Sequence, residues 1–286
     1  MEGGAGHHGL RDRDAGFPDE KGANLPDAAA LAPHGVRYDE DGAVGTVTLD
    51  RPDRLNAQTP GMWRALAELG RSLTGDVRVI VLRGAGRAFS AGLDTAMFTP
   101  DGLPGEPTLA DLAMMADDAA DAAIARFQDA FTWWSRPDIV SIAAVQGHAV
   151  GAGFQLALGC DLRIVADDAQ LSIAEVNRGI IPDLGGTGAL VDLVGYPRAL
   201  ELCVTGRRVG AQEAVQLGIA LVAVPPGELD HAARDLAAAV VSAPRDAVIE
   251  TKSLLRGAAR RSDSERLAAE RAAQLRRLRD LAGAGE

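Results

Sequence analysis

The sequence is short of cysteine, of aromatic residues and of positive charge, and each shortage removes a class of protein. Only two cysteines, Cys160 and Cys203, occur in 286 residues, each alone among apolar neighbours. Neither belongs to a CxxC or Cys/His spacing of the kind that holds a metal, so both are expected to be small buried hydrophobes of a reducing compartment. Aromatic residues make up 4% of the chain. The core must therefore be built from Leu, Val and Ala, a mix that suits helices packed on aliphatic strands. A formal net charge of −11 speaks against a general nucleic-acid or membrane-surface role, because phosphate contacts need clustered cations. No apolar h-region opens the sequence, and no run of roughly 18 apolar residues could span a bilayer. A soluble, cytoplasmic protein is the expectation.

What is present is an alternation of strand-like and helix-like segments. Residues 1–34 are rich in Gly, Asp, Ala and Pro without periodicity, and are expected to form a flexible tail in which His7 and His8 are solvated. Val44 to Leu49 and Val77 to Leu82 alternate in the manner of strands, with a helix between them through Met62, Leu66 and Leu69. A second helical stretch is expected from about Leu109 to Trp134, ending ahead of Pro137. Ile139 to Val145 is a continuous apolar strand of the doubly covered kind, turned by Gly147 to Gly153 into a helix through Gln155 and Leu158. Leu162 to Val165 is the next strand, and from about residue 227 the pattern is helical only. Strand–helix alternation of this kind implies α/β architecture with right-handed crossovers. There is no internal repeat and no heptad run.

Three segments concentrate small and polar residues at strand ends: Phe89 to Asp94, Gln146 to Gln155, and Glu175 to Thr187. Gly151-Ala152-Gly153 opens a helix with little bulk, so a ligand can approach the free N–H groups of the first turn, where the helix dipole favours negative charge. No GK[ST] follows it and it is not GxGxxG, which excludes the common nucleotide loops; Ser90 likewise lacks the GxSxG surroundings of a hydrolase nucleophile. Glu175 and Asp183 stand eight residues apart across a Gly-Ile-Ile-Pro bend. On spacing alone each carboxylate is better explained by solvation or by capping, Asp183 at a helix starting near Leu184, than by chemistry.

The order of the segments is more specific than any one of them. Arg51-Pro52 with Asn56-Ala57, Ser90-Ala91-Gly92-Leu93-Asp94, the stretch from Gln146 to Gly159-Cys160-Asp161, and Glu175 to Thr187 resemble the enoyl-CoA hydratase/isomerase (crotonase) family, with Thr205-Gly206, Ala211 to Ala214 and Gly218 continuing the match. The resemblance covers about residues 36–257. It implies a crotonase-like ββα spiral core over 35–226 and a C-terminal helical region, 227–286, that serves oligomerisation and closes the CoA site. It also implies a homotrimer or a dimer of trimers; no nucleic-acid or membrane partner is expected, given the net charge of −11. No separate cofactor or metal is implied, because coenzyme A is part of the substrate.

By the same resemblance, the backbone N–H groups of Leu93 and Ala152 are expected to form an oxyanion hole for the thioester oxygen. The main chain around Ala91 and Asp94, with Arg54 as a phosphate partner, is expected to contact the adenine and pantetheine of CoA. Glu175 matches the family's base. The departure is Gln155, which stands where the family's hydratases have a second glutamate; glutamine can orient water but cannot exchange a proton. One glutamate kept, one replaced, and Asp183 placed as in dienoyl-CoA isomerases together favour an enoyl-CoA isomerase of the Δ3,Δ2 or dienoyl kind. Hydration of a 2-enoyl-CoA and non-catalytic CoA-ester binding are the alternatives. Met97, Phe98, Met114 and Met115 are expected to wall the acyl pocket, with core filling the equal alternative.

Overall fold

The computed structural model describes residues 28–283. His7, His8 and the tail through residue 27 lie outside them. Order begins earlier than composition suggested: α1 (Ala28–Leu31) and the 3-10 turn Ala32–His34 are helical, and Leu31 is 2% exposed. One leucine anchored in the core outweighs the Gly/Pro character of its surroundings.

β1 (Val36–Asp41) and β2 (Val44–Leu49) pair antiparallel, and α2 (Pro60–Ser72) follows. Thr59 starts α2 by accepting a hydrogen bond from the Met62 N–H at 3.1 Å, with Pro60 in the first helical position where its missing N–H costs nothing. β3 (Val79–Gly84) then runs parallel to β2. The single helix expected over 109–134 is two, α3 (Leu109–Met114) and α4 (Asp117–Thr132). A Thr108/Asp111 capping box opens the first, Met115 and Ala116 are extended, and Asp117 and Asp118 favour a new N-terminus.

β4 (Val140–Val145) is followed by a short strand absent from the sequence reading, β5 (His148–Val150), before α5 (Ala152–Gly159). Gly147 and Gly151 flank it at φ 58° and 53°, left-handed positions that let a three-residue strand fit between two turns. The chain continues through β6 (Leu162–Ala166), β7 (Gln170–Ser172), α6 (Gly186–Val194), α7 (Tyr196–Thr205), β8 (Val209–Gly210), α8 (Ala211–Gln216) and β9 (Val222–Val224). It closes with α9 (Leu229–Ser242), α10 (Arg245–Gly257) and α11 (Asp263–Leu281).

The strands form two sheets. One has the order β1-β2-β3-β4-β6-β9, parallel except for the first pair; the other is β5-β7-β8. Bridges Gln58–Leu93 and Ser90–Ala149 extend the smaller sheet toward the loops after β2 and β3. Successive turns of the chain thus lay a segment in each layer, which is the ββα spiral. The main core, including Leu66, Leu82, Phe154 and Leu156, lies on one side of the large sheet. On the other, Leu229, Ala233 and Ala237 of α9 pack on Val79, Val81, Ile142 and Ala144. Cover on both faces accounts for the unbroken apolar run of β4.

α10 is tied down by Lys252, whose ammonium donates to Asp161 at 2.6 Å and to the carbonyls of Arg136 and Ile139. α11 is attached to α10 through the pairs Arg276–Glu250 and Arg277–Asp246. Cys160 is buried, and burial pushes its thiol up to about 12; Cys203 is half-buried. Among the described residues no helix is long and apolar enough to cross a membrane.

Candidate active site

The loops that end β2 and β3 are locked together by buried amides. Asn56, itself left-handed at φ 53°, donates from its side chain to the carbonyls of Ala85 (2.9 Å) and Ala88 (2.8 Å) and accepts from the Arg51 N–H. Ser90 is wholly buried: its hydroxyl donates to the Asn56 carbonyl at 2.8 Å and accepts from Gln58 and from the Gly92 N–H. The Trp63 indole N–H completes the set by donating to Gln58 at 2.8 Å. Ser90 is thus a strut, not a nucleophile. This network was missed from the sequence, where its only signal is polar residues set singly among apolar ones.

The network fixes the strand-like segment 90–94. Gly92 sits at φ 89° with its α-carbon so close to the Val150 carbonyl that no side chain fits. Its Gln58-side groups are used: the Gln58 N–H donates to the Gly92 carbonyl and the Asp94 N–H to the Gln58 carbonyl. The Leu93 N–H between them has no acceptor among the described residues, and neither has the Ala152 N–H, the first of α5. Gly151, just ahead, adopts φ 53° and ψ −122°, and a β-carbon there would lie 3.2 Å from Glu175 Oε1. Leu93 and Ala152 both line a cavity of about 750 Å³. Two free main-chain donors on a cavity wall, one at a helix N-terminus, can stabilise an oxygen that gains negative charge.

Glu175 lies in the 3-10 turn after β7 and is 8% exposed, with its carboxylate at this cavity. Oε1 accepts from Gln155 Nε2 at 2.6 Å, whereas Oε2 is buried without a hydrogen-bond partner among the described residues. Burial pushes its pKa up; the hydrogen bonds from the backbone and Gln155 oppose that, and the charge of Asp183 adds to it. A carboxylate with one oxygen held and one bare is disposed to take a proton at the bare oxygen.

Gln155 is 1% exposed and sits behind the cavity wall, in contact with Glu175. Its Oε1 accepts from the N–H groups of Leu184 (3.0 Å) and Gly186 (3.3 Å). Two donors fix which end of the amide is the carbonyl, so the NH₂ must face Glu175. One side chain thus holds both the Glu175 carboxylate and the backbone that follows Asp183.

Asp183 is half-buried on the cavity wall, and burial raises its carboxyl pKa. It is not the cap of α6. Gly185 occupies that position in a left-handed conformation, and no side chain caps the helix. What holds Asp183 is its carbonyl, which accepts from Gln128 Nε2 at 2.6 Å.

Of the expected CoA contacts, Ala91 lines the cavity; Arg54 and Asp94 do not. Arg54 is exposed in the 3-10 turn after β2. The Asp94 carboxylate is spent inside the protein, pairing with Arg51 at 3.0 Å and accepting from the Ala96 N–H. Met97 and Phe98 are on the wall as expected, but Met114 is 86% exposed and neither it nor Met115 reaches the cavity. The break between α3 and α4 turns them outward, and Leu112, Ile124 and Phe127 take their place. Arg178, unremarked in the sequence, stacks on the Phe98 ring at 5.4 Å.

A family model described as enoyl-CoA hydratase/isomerase matches residues 39–279. The probable enoyl-CoA hydratase of Rhodobacter capsulatus is 32% identical over 77% of this chain and 80% of its own length. The peroxisomal Delta(3,5)-Delta(2,4)-dienoyl-CoA isomerase of Arabidopsis thaliana is 31% identical over 77% of this chain and 80% of its length. A protein of Thermobifida fusca YX bearing an enoyl-CoA hydratase name, solved in complex with acetoacetyl-CoA, superposes with a TM-score of 0.86 at 47% identity, covering 90% of this chain and 100% of that one. By name these similar proteins side with hydration more than with the isomerisation expected from the sequence.

Proposed function

The chain belongs to the enoyl-CoA hydratase/isomerase family, whose members act on enoyl-CoA thioesters, and from that premise we propose that it moves a double bond along an enoyl-CoA by proton transfer, with Glu175 as the base. The observation that carries the reading is the amide of Gln155, locked by two backbone donors and facing Glu175 where a second acid would be needed to hydrate. In the proposed reaction the bare Oε2 of Glu175 takes a proton from C2. The electrons pass to the thioester oxygen, and the N–H groups of Leu93 and Ala152 hold the enolate. Return of that proton to C4 gives the 2-enoyl product and restores the carboxylate. For a 3,5-diene, Asp183 in its protonated form supplies the proton at C6 instead, and Glu175 keeps the one it took. The raised pKa of both carboxyls supports such sharing.

A second reading, hydration of a 2-enoyl-CoA with Asp183 as the second acid, is favoured by the hydratase names of the similar proteins. Turnover of crotonyl-CoA, a trans-3-enoyl-CoA and a 3,5-dienoyl-CoA by the purified protein separates the two. Isomerisation is expected to exceed hydration by at least about tenfold, within the range a missing acid costs; hydration as the fastest reaction sinks the first reading. A homotrimer or dimer of trimers is part of the proposal, supported by Val191, Tyr196, Leu200 and Val204, which α6 and α7 leave exposed.

Gln155→Glu tests the role given to the amide. The new carboxylate is held ionised by the N–H groups of Leu184 and Gly186, at hydrogen-bond distance from Glu175 Oε1, so Glu175 must keep a proton. Crotonyl-CoA hydration is expected to rise about tenfold or more, and the acidic limb of the isomerisation pH–rate profile to move to higher pH. No change in either contradicts the role of Gln155.

A further inference from the structure

A second cavity, of about 600 Å³, opens where α2, the 3-10 turn Trp133–Ser135 and α10 meet, and it shares no residue with the acyl cavity. In a chain with a net charge of −11, four of its twelve lining residues are arginines, Arg71, Arg136, Arg256 and Arg260, and one, Asp129, is an acid.

The charges do not balance. Arg136 is paired with Asp138 at 2.7 Å, and Lys252, behind the cavity wall, with Asp161 at 2.6 Å. Arg71 approaches Asp129 only to 3.7 Å, with both side chains more than half exposed. Arg256 and Arg260 have no acidic partner among the described residues. Arg256 is also close enough to Lys252 for its charge to add to the burial that pushes the ammonium's pKa down. Cations gathered without counter-charge repel one another, and two remain uncompensated.

The hydroxyls follow the same logic. Thr132 and Ser135 spend their protons on the carbonyls of Gln128 and Thr132, whereas Ser253, one turn before Arg256 on α10, has no hydrogen-bond partner among the described residues and can donate. Planar guanidinium forks from two parts of the fold, with a free hydroxyl, match an anion that carries several terminal oxygens.

We propose that this cavity binds a phosphate-bearing small molecule, its dianionic group held by Arg256 and Arg260 with Arg71 opposite. The volume exceeds what a phosphate group fills, so the ligand extends beyond it. The probe is inorganic pyrophosphate, titrated calorimetrically into the full chain at low salt, with malonate as a dicarboxylate control. Saturable pyrophosphate binding is expected, weakened at least about tenfold in the Arg256→Gln/Arg260→Gln double variant, whose unliganded thermal unfolding stays as in the wild type because both side chains are exposed. Absence of saturable binding overturns the proposal, as does equal affinity in the double variant or equally tight binding of malonate. A change in oligomeric state on substitution, without pyrophosphate binding, also overturns it, since carboxylates of a second copy would then be covering the cavity.

Discussion

Glu175→Gln is expected to lower enoyl-CoA turnover by about 10²–10⁴-fold, the usual cost of removing a general base, while leaving affinity for a CoA ester within a few-fold of wild type. Glutamine keeps the shape and can still accept from Gln155 Nε2 through its carbonyl, so the cavity wall and the donors at Leu93 and Ala152 stay in place. What is lost is the atom with no partner, Oε2, and with it the only proton acceptor that the fold leaves bare on Glu175. Steady-state kinetics with the preferred isomer, alongside calorimetric binding of a non-reacting acyl-CoA, separate the two quantities. Turnover within about tenfold of wild type removes Glu175 from the role of base. Loss of CoA-ester binding together with turnover points instead to a structural defect.

The same variant carries a stability signature that a passive carboxylate would lack. Burial raises the folded-state pKa of Glu175 above its unfolded value, so between those two values the folded protein binds more protons than the unfolded chain. Stability then falls as pH rises through that window, and the deficit persists above it. Glutamine does not titrate. The difference in melting temperature, variant minus wild type, is therefore expected to grow as pH rises from the ordinary glutamate range toward the raised pKa, and then to level off. A site that holds an ionisable group away from water for the sake of proton transfer gives up stability in this manner.

The distance between sequence and structure is itself physical. Segments whose hydrophobic period is long and unambiguous were legible: β2 spans Val44–Leu49 as expected, and β4 differs from the expected run by one residue. The features that escaped are those decided by local conformation or by long-range partners. β5 depends on two glycines at positive φ, which a periodicity argument takes for a turn into a helix. The break at Met115 and Ala116 depends on a capping box competing with a run of good helix formers, and it reverses the direction of two methionines. At the site, the order of the motifs pointed to Leu93, Ala152, Glu175 and Asp183, and all four line one cavity. The fate of Gln155 was not legible, because its partners at 184 and 186 lie 29 and 31 residues away. The role of the Asp94 carboxylate is equally remote in sequence, since it pairs with an arginine 43 residues earlier in the chain, Arg51.

Asp183→Asn is the sharper test of which reaction the cavity supports. Spacing alone favours Asp183 as a cap over an acid; Gly185 holds the cap position, which leaves the carboxylate facing the cavity with no helix to stabilise. Asparagine preserves the carbonyl that Gln128 donates to, so folding stability is expected to change by no more than about 0.5 kcal/mol. Catalysis is expected to divide. A 3,5-dienoyl-CoA needs a proton at C6, beyond the reach assigned to Glu175, and its turnover should fall by about 10²-fold or more. A trans-3-enoyl-CoA needs only the C2-to-C4 shuttle of Glu175, and its turnover should fall far less. Burial keeps Asp183 protonated to higher pH than an ordinary aspartate, so wild-type dienoyl turnover should decline on the alkaline side as that proton is lost, a limb that disappears in the variant. Equal losses on both substrates would tie Asp183 to the shape of the site, and unchanged dienoyl turnover would leave Glu175 to carry the proton alone. A loss confined to crotonyl-CoA hydration would make Asp183 the second acid of a hydratase, in which Gln155 positions Glu175 and Asp183 supplies the proton that glutamine cannot.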